Sequence, residues 1–95
     1  MSKQPCVYIL ASKRNGTLYT GVTSNLAQRL TQHRVGGTGS FSDKYRTHLL
    51  VHVEQYETME VAIVREKQIK GGSRKKKLTL IESQNPQWED LSHLV

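Results

Sequence analysis

The sequence predicts an α+β fold: a small three-stranded antiparallel sheet flanked by helices, in the order β-β-α-β-α-α. Three observations predict it: short runs of β-forming residues, an Asn-Gly turn between the first two runs, and residues that begin and end helices. The chain has 95 residues, a length typical of one domain. Residues 1–95 are therefore expected to form a single domain.

The first two strands are predicted to form a hairpin. Residues 6–11 are a continuous apolar run, which is typical of a buried strand. Asn15 and Gly16 are the dipeptide that most favours a tight hairpin turn, and residues 18–22 form the returning strand. Gly21 in that strand indicates a bulge or a close approach of another group to the backbone.

A helix is predicted directly after the hairpin. Ser24 or Asn25 is able to cap it, and it is expected to run from Leu26 to about His33. The glycine-rich segment 36–40 ends any helix before it and is expected to be a loop.

The second half of the chain is predicted to hold one strand and two helices. The strand covers residues 48–56, and Thr58 caps a helix that runs to about Lys70. A last helix covers residues 74–83 and ends before an Asn-Pro pair, because the residue before proline avoids the helical region. Residues 88–95 are expected to be a docking tail with apolar residues at helical spacing.

Composition excludes several classes of protein. No apolar stretch approaches the roughly 20 residues that a membrane span needs. One cysteine, Cys6, excludes an internal disulfide framework and a four-cysteine zinc site, and it is expected to be buried. The expected compartment is the reducing cytoplasm, with no signal peptide and no membrane partner.

The positive charge is concentrated in one segment. The net charge is +6, and the window 62–77 holds seven basic residues and one acid, so it carries the whole net charge. Such a segment is typical of a protein that binds a polyanion. A solvated lysine-rich helix end would have the same composition.

Glu66 is predicted on the apolar face of its helix. The residues that define this face by their spacing are Met59, Ala62, Ile63 and Ile69. A carboxylate at such a position is costly unless it is paired or binds a metal ion. Both alternatives stay open at this point: an internal ion pair with an arginine such as Arg29, or metal ligation.

Two further pairs of residues are candidates for chemistry. Arg29 and His33 lie one turn apart on the first helix, which suits a surface that faces a phosphate. Tyr8 and Tyr19 lie on consecutive strands and are expected to be cross-strand neighbours. His48 and His52, on the third strand, are expected to be surface residues.

These positions together resemble the GIY-YIG nuclease domain family, and the small stand-alone bacterial members in particular. The first signature corresponds to residues 6–8 with its tyrosine kept, and the second corresponds to residues 19–21 with its outer residues kept. The family's arginine, histidine, glutamate and asparagine correspond to Arg29, His33, Glu66 and Asn85. The resemblance covers nearly the whole chain. Two departures are Cys6 at a signature glycine and residues 71–73, where a bulkier stretch is expected.

The resemblance implies a metal-dependent DNA endonuclease that uses one Mg²⁺ or Mn²⁺ ion. Glu66 would hold the ion, Tyr8 would activate water, and Arg29 would stabilise charge in the transition state. Tyr19 and His33 would orient water or accept protons, and Asn85 would hold the site together. A single carboxylate with water and phosphate oxygens is able to hold such a hard cation.

The expected partner is DNA, whether branched, nicked or damaged, with RNA left open and the oligomeric state not predicted. The expected phosphate contacts are Lys44, Lys67, Lys70, Arg74, Lys75, Lys76 and Lys77. The alternative function is a nucleic-acid-binding module of the same fold with little or no cleavage activity. A third interpretation is an adaptor whose basic segment docks onto an acidic protein.

Overall fold

The computed structural model describes residues 4–35 and 49–95. Within these residues the strands are β1 (Cys6–Ala11), β2 (Leu18–Thr23) and β3 (Leu49–Gln55). The helices are α1 (Leu26–Val35), α2 (Met59–Gly71) and α3 (Arg74–Gln84), followed by a short 3₁₀ helix, η1 (Leu91–Leu94). The predicted α+β class and element order are confirmed, and the ends of the elements differ from the prediction by one or two residues.

The three strands form one antiparallel sheet in the order β2-β1-β3. Strand β1 lies in the middle and each of its six residues is buried, as its continuous apolar run predicts. The register between β1 and β3 shifts between Ile9 and Leu10. Because β1 lies between them, strands β2 and β3 are the two opposite edges of the described sheet.

Both faces of the sheet are covered, and alternate residues of β1 point to opposite sides. On one face lie α2 and α3, with a core formed by Val7, Ile9, Ala11, Val51, Ala62, Ile69, Ile81 and Trp88. On the other face lies α1, with a core formed by Cys6, Tyr8, Leu10, Leu26, Leu30 and Leu50. The sequence expectation that Cys6 is a buried small side chain agrees with its 3% exposure.

Side chains begin the helices where the sequence predicts. Asn25, one of the two predicted caps of α1, accepts a hydrogen bond from the Gln28 backbone N–H at 3.3 Å. Thr58 caps α2 and Ser73 caps α3 in the same way. Gly72 follows α2 and donates its backbone N–H to the Ile69 carbonyl.

Two expectations about the second half of the chain need correction. The tail docks through Trp88, which is 4% exposed, but the helical spacing is wrong, because Trp88 has a positive φ of 57° and Leu94 is 68% exposed. His52 is not a surface residue, because its side chain is 1% exposed beneath α2. The predicted strand position of His48 lies outside the described residues. Among the helices of the described part, none is long and apolar enough to cross a membrane.

Candidate active site

Tyr8 reaches the edge of the sheet by lying across Gly21. The two residues are direct partners in the β1–β2 ladder, and β2 is an edge strand. A β carbon at Gly21 would lie 2.5 Å from both Cζ and Oη of Tyr8. The absent side chain of Gly21 therefore leaves the space that the Tyr8 ring fills, which explains the glycine that the sequence places inside a strand.

Tyr8 and Tyr19 lie on the same face and interact. Their ring centroids are 6.2 Å apart with an interplanar angle of 42°, which is an ordinary tilted aromatic pair. Burial, the neighbouring Tyr19 phenol and a hydrogen bond with it raise the pKa of Tyr8 above its usual range, while the positive charge of Arg29 acts in the opposite direction. Two phenols and a guanidinium thus share one region at this edge of the sheet.

Helix α1 supplies the cation of this group. Its Leu26 and Leu30 are buried against the Tyr8 face of the sheet, and Arg29 lies between them in sequence with an exposed side chain. Arg29 is therefore able to contact a ligand and still influence the Tyr8 hydroxyl. His33 follows one turn later in α1, but its side chain lies outside the described part of the chain.

Glu66 lies on α2 between the buried residues Ala62 and Ile69, on the predicted side of the helix. Its side chain is 13% exposed, and Oε2 lies 2.8 Å from Nζ of Lys70, one turn further along. Among the side chains that the structure describes, the ion-pair partner of this carboxylate is Lys70 and not the arginine that the ion-pair alternative suggested.

A groove joins Tyr19 to the basic segment. It has a volume of about 280 Å³ and is lined by Leu18, Tyr19, Thr20, Lys70 and Lys77. Tyr8 does not line the groove but contacts Tyr19, and Glu66 does not line it but pairs with Lys70. The groove therefore lies where the edge strand β2 meets α2 and α3, next to the tyrosine pair.

The donor set at this edge fits a single hard cation. Among the described residues, no three His, Cys, Asp or Glu side chains are grouped as a metal site. Glu66 offers two carboxylate oxygens, and a cation held by one carboxylate completes its shell with water and ligand oxygens. The Lys70 ammonium occupies part of the same carboxylate, so the ion and the ammonium would compete for it.

The predicted phosphate-binding residues differ in their surroundings. Lys67, Lys75 and Lys76 are exposed. Lys77 is partly buried and lines two neighbouring grooves, one with Tyr19 and one with Lys76. Lys44 lies outside the described residues.

Arg74 has a structural contact in addition to its charge. Its Nη2 donates to the backbone carbonyls of Asn15 and Gly16, each at 2.7 Å. The first residue of α3 thus holds the turn of the β1–β2 hairpin. Since β2 carries Tyr19 and Gly21, this contact supports the strand on which the site depends.

Asn85 is 5% exposed and uses its side chain to join three backbone groups. Its Nδ2 donates to the carbonyls of Val51 at 3.1 Å and Glu89 at 2.9 Å, and its Oδ1 accepts from the Glu89 N–H at 3.0 Å. These contacts attach the tail to β3 and explain why the chain turns at residue 88 instead of remaining helical. The geometry of Asn85 suits support of the fold rather than contact with a ligand.

Sequence reasoning missed a second polar group, which we call the Glu54 cluster: His52, Glu54, Tyr56 and Arg65. Arg65 donates from Nε to Oε1 of Glu54 at 2.7 Å and from Nη2 to Oε2 at 3.0 Å. The Tyr56 hydroxyl donates to Oε1 at 2.6 Å, and Nε2 of His52 lies 2.8 Å from Oε2. Residues 52, 54 and 56 alternate along the predicted strand, which indicates that they share one face, but this local pattern does not indicate their contact with Arg65 on α2.

The electrostatics of Glu54 follow from these contacts. Burial alone would raise the pKa of its carboxyl, but hydrogen bonds from Arg65, Tyr56 and His52 outweigh burial and lower the pKa to about 2. Glu54 is therefore a carboxylate throughout the physiological range.

Comparisons with known proteins agree with this architecture. A family model described as the GIY-YIG catalytic domain matches residues 4–79. A UPF0213 protein of Syntrophus aciditrophicus is 44% identical over 82 residues, which are 85% of this chain and 92% of that protein. The UPF0213 protein SH2523 of Staphylococcus haemolyticus is 38% identical over 76 residues, covering 80% of this chain and 92% of the other.

A solved structure is similar over nearly the whole chain. The solution NMR structure of the UPF0213 protein BH0048 from Bacillus halodurans aligns with a TM-score of 0.58 and 27% identity. The alignment covers 96% of each chain. The arrangement of strands and helices is therefore shared with an experimentally determined protein of the same size.

Proposed function

Because this chain belongs to the GIY-YIG catalytic domain family, we propose that it is a DNA endonuclease that hydrolyses phosphodiester bonds with one divalent metal ion and a water molecule activated by Tyr8. One observation carries the proposal: the groove beside Tyr19, which contacts Tyr8, is also lined by Lys70, the ion-pair partner of Glu66. Ionisable side chains gathered around a groove are typical of a functional site.

The scissile phosphate would lie between Arg29 and Glu66. Arg29 is exposed and permanently charged, so it would bind a phosphate oxygen and stabilise the extra negative charge of the transition state. Glu66 would hold Mg²⁺ or Mn²⁺ with the help of water and phosphate oxygens. The bound ion would polarise the phosphate and stabilise the leaving oxygen.

Tyr8, in its phenolate form, would take one proton from the attacking water at Oη. The water oxygen would form a new bond to phosphorus while the bond from phosphorus to the leaving oxygen breaks, and the leaving oxygen would depart as an oxyanion that takes a proton from solvent. Burial raises the pKa of Tyr8, so its phenolate is scarce at neutral pH and depends on nearby positive charge such as that of Arg29. Tyr19, which is hydrogen-bonded to Tyr8, would orient the water together with His33.

The groove beside Tyr19 offers a path for the flanking nucleotides. Lys70 and Lys77 line it, and Lys77 also borders the neighbouring groove beside Lys76. The exposed Lys67 and Lys75, together with Lys44 and Arg74, would extend this positive surface. Contacts of this kind bind phosphates whatever the base sequence. The proposed substrates are therefore branched, nicked or damaged DNA, or RNA, and not DNA of one particular base sequence.

The proposed compartment is the cytoplasm. Cys6 is a free, buried thiol, and a chain of this composition has no need of an oxidising environment.

The Glu66–Lys70 ion pair favours one alternative, a binding module with little or no cleavage. Lys70 Nζ lies 2.8 Å from the carboxylate that a metal ion would require. If this pair persists when DNA is bound, the chain would hold the polyanion without hydrolysing it.

A panel of substrates distinguishes the two functions. The purified chain would be incubated with supercoiled plasmid, nicked duplex, a branched junction and single-stranded RNA, with Mg²⁺, with Mn²⁺ and with EDTA. Cleavage of at least one DNA substrate that requires the metal ion supports the endonuclease. Salt-dependent binding of every substrate without cleavage under any condition supports the binding module and contradicts the proposal.

A further inference from the structure

The contact between Glu54 and Arg65 fixes the orientation of the helix that carries Glu66. Arg65 precedes Glu66 in α2, and its guanidinium bonds both carboxylate oxygens of Glu54 on β3. Two parallel N–H···O bonds of this kind restrict rotation as well as distance. We call this contact the Glu54–Arg65 fork.

The apolar packing of α2 does little by itself to fix the rotation of this helix. The buried residues of this helix are Ala62 and Ile69, while Val61 and Val64 are 52% and 57% exposed. A helix with so narrow a buried stripe is weakly restrained against rotation about its own axis. Polar contacts at the side of α2 therefore contribute strongly to its rotational orientation about its own axis.

The topology places the fork opposite the candidate site. Helix α2 packs against β1 and β2, and β2 is the edge strand that carries Tyr19. The fork holds the other side of the helix to β3, the opposite edge. Successive residues of a helix point about 100° apart, so Arg65 turned toward β3 leaves Glu66 turned toward the Tyr19 groove.

A small rotation is enough to matter. Side-chain tips lie about 5–6 Å from a helix axis, so a rotation of roughly 10° displaces the Glu66 carboxylate by about 1 Å. A displacement of about 1 Å in an active site costs up to about 100-fold in rate.

We propose that Glu54 is a positioning residue, which acts through Arg65 to aim the Glu66 carboxylate at the metal ion. This inference rests on the proposed function, because it requires Glu66 to bind a cation. His52 and Tyr56 support it by completing the contacts of Glu54, which leaves the carboxylate saturated and held in one orientation.

Direct Mn²⁺ binding tests the proposal without relying on cleavage. Electron paramagnetic resonance would give the Mn²⁺ dissociation constant of the wild-type chain, and Glu66→Gln would identify the binding that depends on Glu66. The test variants are Glu54→Gln and Arg65→Lys, because the first removes a charge and the second keeps the charge but removes the fork. The control is Glu82→Gln. Glu82 lies on α3, away from the fork, and its carboxylate accepts a hydrogen bond from Nε1 of Trp88.

We expect Glu54→Gln and Arg65→Lys each to weaken the Glu66-dependent Mn²⁺ binding by about tenfold, while Glu82→Gln stays within twofold of the wild type. Agreement between the two test variants excludes a simple effect of charge. Urea unfolding of each variant establishes that it is folded, and Arg65→Lys carries the test if Glu54→Gln fails to fold.

The outcomes separate this inference from the proposed function. Wild-type Mn²⁺ affinity in both test variants overturns the positioning role and leaves the endonuclease proposal standing. Equal weakening in Glu82→Gln also overturns it, because the loss then follows general destabilisation. Equal Mn²⁺ binding by wild type and Glu66→Gln contradicts the metal site itself, and with it both proposals.

Discussion

The aromatic ring of Tyr8 occupies the space above Gly21, its direct partner on the edge strand. The contact is so close that no side chain fits at residue 21 without displacing the tyrosine. Two signature positions that are thirteen residues apart are thus one structural unit, and the position of the Tyr8 hydroxyl depends on the absence of a side chain at Gly21.

The first prediction concerns this contact. Gly21→Ala brings a methyl group to 2.5 Å from Cζ and Oη of Tyr8, so the ring must move. We expect a loss of about 1–3 kcal/mol in the free energy of unfolding, and a fall in cleavage of about 10- to 100-fold because the hydroxyl is displaced. Urea unfolding and plasmid nicking measure the two effects.

Gly71→Ala is the matched control. A β carbon there meets no atom within 4 Å, and alanine favours the helical state, so stability should be unchanged or increase by up to about 1 kcal/mol. Wild-type nicking by Gly21→Ala would show that the position of Tyr8 is not important for the reaction.

The second prediction concerns pH and the proposed base. Tyr8 acts as a base only when deprotonated, and burial raises its pKa above the usual tyrosine range. The phenolate fraction then increases with pH, so the cleavage rate should rise about tenfold per pH unit between pH 7 and 9. Tyr8→Phe should lose at least about 100-fold in rate. A rate that is flat over this range would exclude Tyr8 as the base and leave it an orienting role.

The third prediction concerns Asn85. Its amide bonds the Val51 carbonyl and both backbone groups of Glu89, so Asn85→Ala leaves buried groups unpaired. We expect a loss of about 2–3 kcal/mol in stability, with the cleavage rate of the folded protein within about threefold of wild type. The exposed neighbour Gln84→Ala should change stability by less than about 0.5 kcal/mol. A stable Asn85→Ala protein that has lost cleavage would instead place this amide in the chemistry.

The fourth prediction concerns acid stability. The pKa of Glu54 is lowered to about 2 in the folded chain from an ordinary value of 4.5. The unfolded chain therefore binds the proton more readily, and the stabilisation is fully present above about pH 4.5 and is lost as pH falls toward 2. Its size is about 3 kcal/mol.

Glu54→Gln tests this assignment by removing the titrating group. Urea unfolding at pH 3 and pH 6 should show a smaller difference in stability for Glu54→Gln than for wild type. An identical difference in the two proteins would mean that other carboxyl groups determine the acid sensitivity.

The sequence predicts the elements well because their signals are local. The apolar run of β1, the Asn15–Gly16 turn and the Thr58 cap each act within a few residues, and the structure has each of them at the predicted position. The course of the tail is not predictable from local signals, because it depends on the hydrogen bond from Asn85 to Val51 of β3, and these two residues are far apart in sequence.

The candidate site is predictable in part for the same reason. The spacing in α2 places Glu66 on the side of Ala62 and Ile69, but it does not show that Lys70 is the carboxylate's partner. The burial of His52 does not follow from its strand position, because its partner Glu54 bonds Arg65 on α2, which is distant in sequence. Long-range polar contacts of this kind have no local pattern.

If Glu66 holds the metal ion, it serves cleavage and not DNA binding, so both properties would be measured on one variant. Glu66→Gln would be compared with wild type and with Glu60→Gln, an exposed acid on the same helix. We expect Glu66→Gln to lose at least about 100-fold in the single-turnover nicking rate. Its affinity for DNA should be equal or tighter, because a negative charge is removed and Lys70 is released. Glu60→Gln should keep the wild-type rate, and wild-type nicking by Glu66→Gln would show that Glu66 does not hold a metal ion needed for cleavage.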